Sequence, residues 1–431
     1  MERLQTADRI EYIDMLKGAA CLLMLIGHSM SFHFGHMGPA NLAFLGLVCT
    51  AAPLFFFISG ANIINFIAHY GGKRRMHEVR FYLSAAAALF FLSYCYSFNR
   101  MGLEMFQIFQ GIAVCTAVTF LLVRTKIPAW AHLALVFVLY AIWMKHWRTV
   151  SAQLTPLRIL DPAACVRETL RFVATFSYPV RALFIHFSLL PWVCYVLAGA
   201  VTFRSLRQRT GFPWTWAIFY AALPLIGFLS LGVRNLTQPL WLNNFADLLW
   251  RNTPLYFFTW FGLSGLLVIF ADRWYAGSAA MTRPLFRRGW GVLEYCGRES
   301  FLFLIWHWLI LTLVQILTGR IIHHLASNGA SAVIHLSWIL ALTVTLLTLH
   351  HVARWGEAWR QRPKFAWEAG LTLCLGTLLS WFWYERERYT AMMIISFAPC
   401  LAFAYIYPVV RARLRGYFTV HNAPPAPGGD V

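Results

Sequence analysis

Charge is what this sequence has least of. Only 12% of its 431 residues are charged, and 17 of them are acidic against 36 that are basic. A soluble domain carries about 25% charged residues, and 59% of this chain is hydrophobic, so the composition indicates an integral membrane protein. A net charge of +19 would suggest a nucleic-acid partner in a soluble protein. Here the basic residues fall in short segments between apolar runs, so we expect no nucleic acid.

The sequence also lacks the cysteine patterns of a disulfide framework or a metal site. Its nine cysteines include no CxxC pair and no Cys/His ligand spacing. Most lie within apolar runs, where cysteine packs as a small apolar residue. A cleavable signal peptide is not expected either, because the first apolar run is long and has no clear small-residue cleavage site.

Long apolar runs recur along the whole chain. A membrane-spanning helix needs roughly 20 mostly apolar residues, and about 12 runs (10 to 12) qualify, which predicts an all-α polytopic membrane protein. Their approximate ranges are 14–34, 42–69, 80–98, 103–123, 127–144, 182–203, 213–232, 253–271, 299–319, 331–352, 366–384 and 391–410. The second run is longer than a bilayer requires, and the fifth has the weakest signal because it contains His132.

The distribution of basic residues predicts the orientation. With both termini in the cytoplasm, 23 Lys and Arg residues fall on cytoplasmic segments and 12 fall outside, the bias that membrane insertion favours. The predicted organisation is a cytoplasmic segment over 1–13, one transmembrane domain over 14–410 and a partly disordered cytoplasmic tail over 411–431. Residues 145–181 form an extracytoplasmic loop in this arrangement, with a short helical stretch near 163–175.

Two histidines lie inside apolar runs. His28 is eleven residues after Lys17, and at 1.5 Å per residue it lies ~16 Å deeper in the membrane. His307 is nine residues after Arg298, or ~13 Å in from the same side. Ionisable groups at bilayer depth usually mark a function, and a neutral imidazole suits a general base near pH 7. The alternative for each histidine is a buried ring bonded to a neighbouring helix.

Other polar residues admit a packing or a binding role. Ser59 and Gly60 permit close helix approach, while Asn62 follows them on the same helix. A polar stripe suggests either a cavity or interhelical bonding. The stripe consists of Glu104, Gln107 and Gln110.

The densest cationic segment is Lys73-Arg74-Arg75-Met-His-Glu-Val-Arg80. Positive-inside bias alone explains such a loop in many membrane proteins. The other interpretation is a cytosolic phosphate site, since the planar guanidinium of arginine suits phosphate. Lys17 could hold a phosphate at the same membrane edge, beside Asp14.

These motifs resemble the transmembrane acyltransferases. Asp14-x-x-Lys17-Gly18 followed by His28 is similar to the first helix of the acyltransferase-3 family, which usually shows Arg-x10-His. Phe55-Phe56-x-x-Ser59-Gly60 resembles that family's second helix. Further segments resemble the bacterial relatives of heparan-α-glucosaminide N-acetyltransferase, or the late helix found across the group. These segments are Ala52-Pro53-Leu54-Phe55, Gln107-Ile-Phe-Gln110-Gly111, Leu190-Pro191-Trp192 with Gly199, and Gly297-Arg298-Glu299-Ser300-Phe with Trp306-His307.

The resemblance implies transfer of an acyl group, usually acetyl from cytosolic acetyl-CoA, to a sugar or envelope glycan. It places the chain in the bacterial inner membrane, with acetyl-CoA as cosubstrate and no tightly bound cofactor or metal. His28 matches the catalytic histidine of the acyltransferase-3 family, and Lys17 replaces its arginine, which loses bidentate recognition. In the heparan-type enzymes the catalytic histidine lies in a luminal loop, a place that His33 or His36 could fill here.

The sequence therefore predicts a membrane-embedded O- or N-acyltransferase with His28 as general base. Lys17, Arg74, Arg75 and Arg80 are the candidates for acyl-CoA or phosphate binding. The pocket candidates are Asp14, Ser59, Asn62, Glu104, Gln107, Gln110, Arg298, Glu299, Ser300, Trp306 and His307. The alternative is a transporter or flippase that uses the histidines for substrate or protons, although no inverted repeat is visible. A scaffold that kept the fold without activity is the third hypothesis.

Overall fold

The computed structural model describes residues 10–31, 39–70, 75–101, 108–125, 127–153, 189–208, 213–235, 254–277, 284–324, 330–384 and 397–420. Within these ranges the chain is helical and contains no strand, which confirms the all-α fold class. The described residues form fourteen helices. They are α1 Glu11–Ser31, α2 Pro39–Val48, α3 Ala51–Tyr70, α4 Arg75–Met101, α5 Ile108–Val123, α6 Ala129–Gln153, α7 Leu189–Arg207, α8 Trp214–Asn235, α9 Pro254–Gly277, α10 Pro284–Arg298, α11 Ser300–His324, α12 Ala330–Arg360, α13 Phe365–Tyr384 and α14 Phe397–Val420.

Several of these helices can cross a membrane. Five stretches in the described residues are long and apolar enough, or six if the bent pair α10 and α11 forms one span. The five are Glu11–Met30, Phe44–Ala68, Leu189–Arg207, Leu255–Trp274 and Val333–Arg360. Each of the twelve apolar runs in the sequence overlaps a helix of the structure. In four of these helices, however, the apolar stretch is shorter than a candidate span requires. Twelve spans and two cytoplasmic termini therefore stay predictions.

The second predicted span is broken at a turn. α2 ends at Val48, Cys49 and Thr50 form the turn, and α3 begins at Ala51. Pro53 explains the break, because proline has no N–H to donate to the carbonyl four residues earlier. The Cys49 carbonyl instead accepts a hydrogen bond from the Tyr256 hydroxyl at 3.2 Å. The two helices still count as one candidate span over Phe44–Ala68.

No membrane span is predicted over residues 284–298, but they form helix α10. Its axis is bent by 94° from that of α11, with Glu299 at the corner. The apolar residues Phe286, Trp290 and Leu293 recur at helical spacing among charged ones, which is the pattern of a helix lying at an interface. The sequence contains that pattern, but the many arginines and glycines lower the mean hydropathy, so a search for apolar runs does not find the helix.

Some helices run past their predicted ends. α6 continues to Gln153, nine residues into the predicted loop 145–181, and α14 continues to Val420 inside the predicted tail. α4 begins at Arg75, so part of the cationic segment is helical. A helix can extend beyond the hydrocarbon layer where long basic and aromatic side chains reach the interface. The helical stretch predicted near 163–175 lies outside the described residues.

α1 and α3 occupy the centre of the molecule. α1 contacts α2, α3, α9, α10, α11 and α12, while α3 also packs on α5, α7 and α9. Glycines allow the closest approach between α3 and α7. A Cβ on Gly60 would overlap the Val196 carbonyl, and one on Gly199 would overlap the Phe57 carbonyl. Small residues at crossing points are typical of packed helices in membranes, so Gly60 lies at a helix contact.

Candidate active site

Two histidines from distant parts of the sequence meet inside the helix bundle. His28 Nδ1 lies 3.1 Å from His307 Nε2, within hydrogen-bonding distance. His28 is half-buried near the end of α1, and His307 is completely buried in the second turn of α11. The similar depths estimated from the sequence thus correspond to a direct contact between the rings.

For two neutral rings, the hydrogen bonds around His307 determine the positions of the protons. His307 Nδ1 lies 2.9 Å from the carbonyl oxygen of Phe303, one turn earlier in α11. A carbonyl oxygen only accepts, so Nδ1 carries the proton and the neutral ring keeps its lone pair on Nε2. His307 Nε2 then accepts from His28 Nδ1–H, and the lone pair of neutral His28 lies on Nε2. Two neutral imidazoles in this order present a base at His28 Nε2.

An indole packs against this base. The ring centroids of His28 and Trp308 are 4.4 Å apart, closer than the 5.4 Å between the two imidazole centroids. An aromatic face within about 6 Å of a cation stabilises it, so Trp308 favours the imidazolium that His28 becomes on accepting a proton. Phe303 packs on the other histidine, with its ring centroid 5.9 Å from that of His307.

Helix α10 packs closely against the part of α1 that precedes His28. A Cβ on Gly18 would overlap the Leu293 carbonyl, and one on Gly297 would overlap the Asp14 carbonyl. The Cys21 thiol lies 3.9 Å from the Cys296 carbonyl oxygen, which extends the same contact. Because α10 turns directly into α11, this backbone contact ties the position of His28 on α1 to that of His307 on α11.

Lys17 and Asp14 form an ion pair at the start of α1. Lys17 Nζ lies 3.2 Å from Asp14 Oδ1, and the carboxylate is almost completely buried while the lysine is partly exposed. Arg80 is exposed on α4, and Arg75 is on the first turn of that helix, although its side chain is not described. Arg74, Glu104, Gln107, His33 and His36 lie outside the described residues.

The other predicted pocket residues have varied environments. Ser59 donates to the Phe55 carbonyl of its own helix at 2.8 Å, while Asn62 is half-buried on α3. Gln110 is buried in α5, and Trp306 donates to Thr348 on α12 at 2.7 Å. At the α10–α11 corner, Arg298 is exposed with its guanidinium 5.8 Å from the Tyr295 ring, and Glu299 and Ser300 are half-buried.

Two elements of the site were missed in the sequence. The first is the Phe303 carbonyl, which determines which nitrogens of the two histidines carry protons. The sequence could have indicated it, because Phe303 lies four residues before His307 in the same apolar helix. Trp308 directly follows His307 in the sequence, yet its ring lies closer to that of His28 than to that of His307. Among the residues that the structure describes, no group of three or more His, Cys, Asp or Glu side chains could hold a metal ion.

These features define an integral membrane protein whose described residues are almost entirely helical, with a hydrogen-bonded histidine pair between its helices. The chain belongs to a family of membrane acetyltransferases: the family model described as heparan-alpha-glucosaminide N-acetyltransferase, catalytic, matches residues 9–239. The match includes His28, Lys17 and Trp192, whereas His307 lies beyond it. No curated protein and no solved structure matches the chain significantly.

Proposed function

We propose that this protein transfers an acetyl group from cytosolic acetyl-CoA to an amine or hydroxyl group of a sugar or envelope glycan. The observation that carries the proposal is the proton order of the histidine pair, which leaves a lone pair on His28 Nε2. Membership of the acetyltransferase family supports the transferred group and the type of donor. The bacterial inner membrane is the proposed location.

In this mechanism His28 acts as the general base. The acceptor N–H or O–H gives its proton to His28 Nε2 as the acceptor atom attacks the thioester carbonyl. A new C–N or C–O bond forms, the C–S bond breaks, and the proton returns to the sulfur so that free coenzyme A leaves as a thiol. General base catalysis of this kind contributes roughly 10²- to 10⁴-fold to a rate.

His307 and Trp308 assist by supporting the protonated state of His28. His28 Nδ1–H remains hydrogen-bonded to His307 Nε2 when the ring becomes a cation, and a hydrogen bond from an ionised donor is stronger than a neutral one. The Trp308 face stabilises the same cation. Both interactions are stronger in the transition state than in the ground state, which is the condition for accelerating a reaction.

The donor phosphates are proposed to bind at the end of the molecule where α1 and α4 begin. Lys17 and Arg80 lie there in the described residues, and Arg74 and Arg75 are adjacent in the sequence. Lys17 contributes a point charge held by Asp14, whereas the arginines provide planar donors that suit phosphate. The thioester then has to reach ~16 Å along α1 from Lys17 to His28, at 1.5 Å per residue.

The direct test is acetyl transfer by the purified full chain. Wild type and His28→Ala are incubated with radiolabelled acetyl-CoA and methyl α-D-glucosaminide, and the acetylated sugar is counted. We expect His28→Ala to lose about 10²-fold or more of the rate. The control is His350→Ala, because His350 is exposed on α12 and its ring packs on Tyr295, away from the pair. Wild-type rates in His28→Ala would refute the mechanism, and solute counterflow without covalent product would favour a transporter.

A further inference from the structure

Much of helix α10 is open to its surroundings, although one side of the helix is packed tightly. That side meets α1, where Leu293 and Gly297 approach the α1 backbone. Elsewhere on the helix, a Cβ built on Gly289 or Gly291 would have no atom of the described residues within 4 Å. Val292 is apolar and yet 46% exposed. The helix therefore offers a surface that the described part of the chain leaves uncovered.

Charged and apolar residues separate on the uncovered part of α10. A helix turns by ~100° per residue, so Arg287, Glu294 and Arg298 fall within ~40° of one another. Leu285 and Val292 lie ~160° or more around the helix from Glu294. The fifteen residues of α10 include three arginines and one acidic residue, so the net charge of the helix is positive. A basic helix with a separate apolar side is typical of a helix that lies in the headgroup region of a bilayer.

The direction of α10 fits the same position. Its axis is bent by 94° from that of α11, and α11 enters the bundle beside α1, so α10 runs across the spanning direction. It crosses α1 at Gly18, next to Lys17, at the end of the bundle where α1 begins. Long basic side chains on a helix lying flat at this level can reach the lipid headgroups, while the apolar side faces the acyl chains.

We infer that α10 binds the headgroups of anionic phospholipids through its arginines. Each Lys or Arg near an anionic membrane surface contributes about 5-fold to affinity, whereas a zwitterionic headgroup has no net charge to attract it. α10 crosses α1 and turns directly into α11 at Glu299, so a lipid that holds α10 also holds both histidine helices. Lipid binding is independent of acetyl transfer, whereas its effect on the rate rests on the proposed function.

The test is a lipid titration of the purified full chain in neutral detergent micelles. Phosphatidylglycerol is added and the melting temperature is followed, with phosphatidylcholine as the zwitterionic comparison. The double variant Arg287→Gln/Arg288→Gln removes two charges away from the α10–α11 corner, and glutamine favours a helix about as well as arginine does. We expect phosphatidylglycerol to raise the melting temperature of wild type and to bind the variant about 30-fold more weakly, because two arginines are lost.

Arg362→Gln/Lys364→Gln is the matched control. Both residues are exposed at the turn between α12 and α13, and the variant loses the same amount of charge. Because they lie on a turn and not on an amphipathic helix, phosphatidylglycerol should bind this variant as tightly as it binds wild type. Equal weakening in the two double variants would show a general effect of net charge and would overturn the inference.

Two further measurements separate a lipid surface from a site for soluble phosphates. Glycerophosphoglycerol, which is the phosphatidylglycerol headgroup without its acyl chains, should leave the melting temperature unchanged; a shift equal to that caused by the intact lipid would overturn the inference. The KM for acetyl-CoA should be equal in wild type and in Arg287→Gln/Arg288→Gln. A higher KM with an unchanged lipid response would assign these arginines to the donor phosphates and would overturn the lipid contact.

Rates in nanodiscs distinguish this inference from the proposed function. Wild type should transfer acetyl groups faster with phosphatidylglycerol present than in phosphatidylcholine alone, and Arg287→Gln/Arg288→Gln should lose most of that difference. Lipid binding that weakens only in this variant, with no transfer by wild type in either lipid, would support the lipid contact and overturn the transferase. Transfer by wild type, with equal lipid affinity in wild type and variant, would overturn the lipid contact and leave the transferase intact. Binding without any difference in rate would overturn the effect on the histidine helices.

Discussion

In the proposed mechanism, His307 decides which nitrogen of His28 acts as the base. A lone imidazole exchanges its proton between two nitrogens, and only one arrangement leaves the lone pair on Nε2. The Phe303 carbonyl and His307 together select that arrangement through two hydrogen bonds of 2.9 and 3.1 Å. His307 therefore positions the proton of the base and does not itself need to touch the acceptor.

Replacing His307 tests this role at the residue scale. His307→Phe keeps an aromatic ring of similar size but removes Nε2, so His28 loses the partner that fixes its tautomer. We expect kcat to fall by about 10- to 100-fold while the KM for acetyl-CoA changes little, a smaller loss than for His28→Ala. The measurement is the initial rate over a range of acetyl-CoA concentrations, normalised to folded protein.

A second buried histidine serves as the control for this variant. Both ring nitrogens of His132 lie within hydrogen-bonding distance of backbone carbonyls, those of Pro128 and Leu122, at the turn between α5 and α6. His132→Phe should reduce the melting temperature and leave kcat per folded molecule unchanged. A kcat for His307→Phe equal to that of wild type would show that His28 needs no partner.

At the scale of elements, the corner between α10 and α11 connects the two histidine helices. α10 touches the backbone of α1 at two glycine positions, and this contact is possible only because the side chains of Gly18 and Gly297 are hydrogen atoms. Packed helices in membranes use small residues in this way. The geometry of the histidine pair is thus set about 10 Å away, because Cys21, the last of these contacts on α1, lies seven residues before His28 at 1.5 Å per residue.

Alanine at two glycines of α10 should have opposite effects. In Gly297→Ala the new methyl group would overlap the Asp14 carbonyl, so α1 must move and the His28–His307 bond is lost; we expect lower thermal stability and at least a 10-fold lower kcat. In Gly291→Ala nothing lies within 4 Å of the new methyl group, and alanine favours a helix over glycine by about 1 kcal/mol. That variant should be as stable as wild type or more so, with unchanged kcat. Equal behaviour of the two variants in thermal melts and rate assays would contradict the coupling.

At the scale of the whole molecule, exposed tryptophans mark a membrane interface. Tryptophan concentrates at membrane interfaces. Five exposed tryptophans of the described residues lie near helix ends that the charge distribution places in the cytoplasm. They are Trp130 on α6, Trp214 on α8, Trp274 on α9, Trp355 on α12 and Trp367 on α13.

Reporter fusions test the prediction of twelve spans. Alkaline phosphatase is active only outside the cytoplasm, so fusions after residues 208 and 362 should be inactive and a fusion after residue 238 should be active. The measurement is phosphatase activity in whole cells, normalised to the amount of fusion protein. If the weak fifth span over 127–144 does not cross the membrane, the fusions after residues 208 and 362 will be active and the fusion after residue 238 inactive. An eleven-span topology then replaces the prediction.

The sequence predicted helices more reliably than their ends and corners. Long apolar runs identify helices because every backbone group in a bilayer must be paired internally. The only sequence signal for the turn at Cys49 and Thr50 is one proline. The only signal for α10 is a short amphipathic pattern rich in arginine. Local cues of this kind compete with the stronger signal of overall hydropathy, so these two features were absent from the predicted spans.

The sequence by itself determined which reactive side chains the protein has and how deep in the membrane they lie. Composition established a helical membrane protein, and residue spacing placed His28 and His307 at comparable depth because rise per residue in a helix is constant. Only the tertiary structure decided that α1 and α11 are neighbours, that the Phe303 carbonyl orders the protons, and that Trp308 covers His28. The reason is that helix pairing depends on close contacts such as those at Gly18 and Gly297, which join residues almost 300 positions apart and leave no periodic pattern in the sequence.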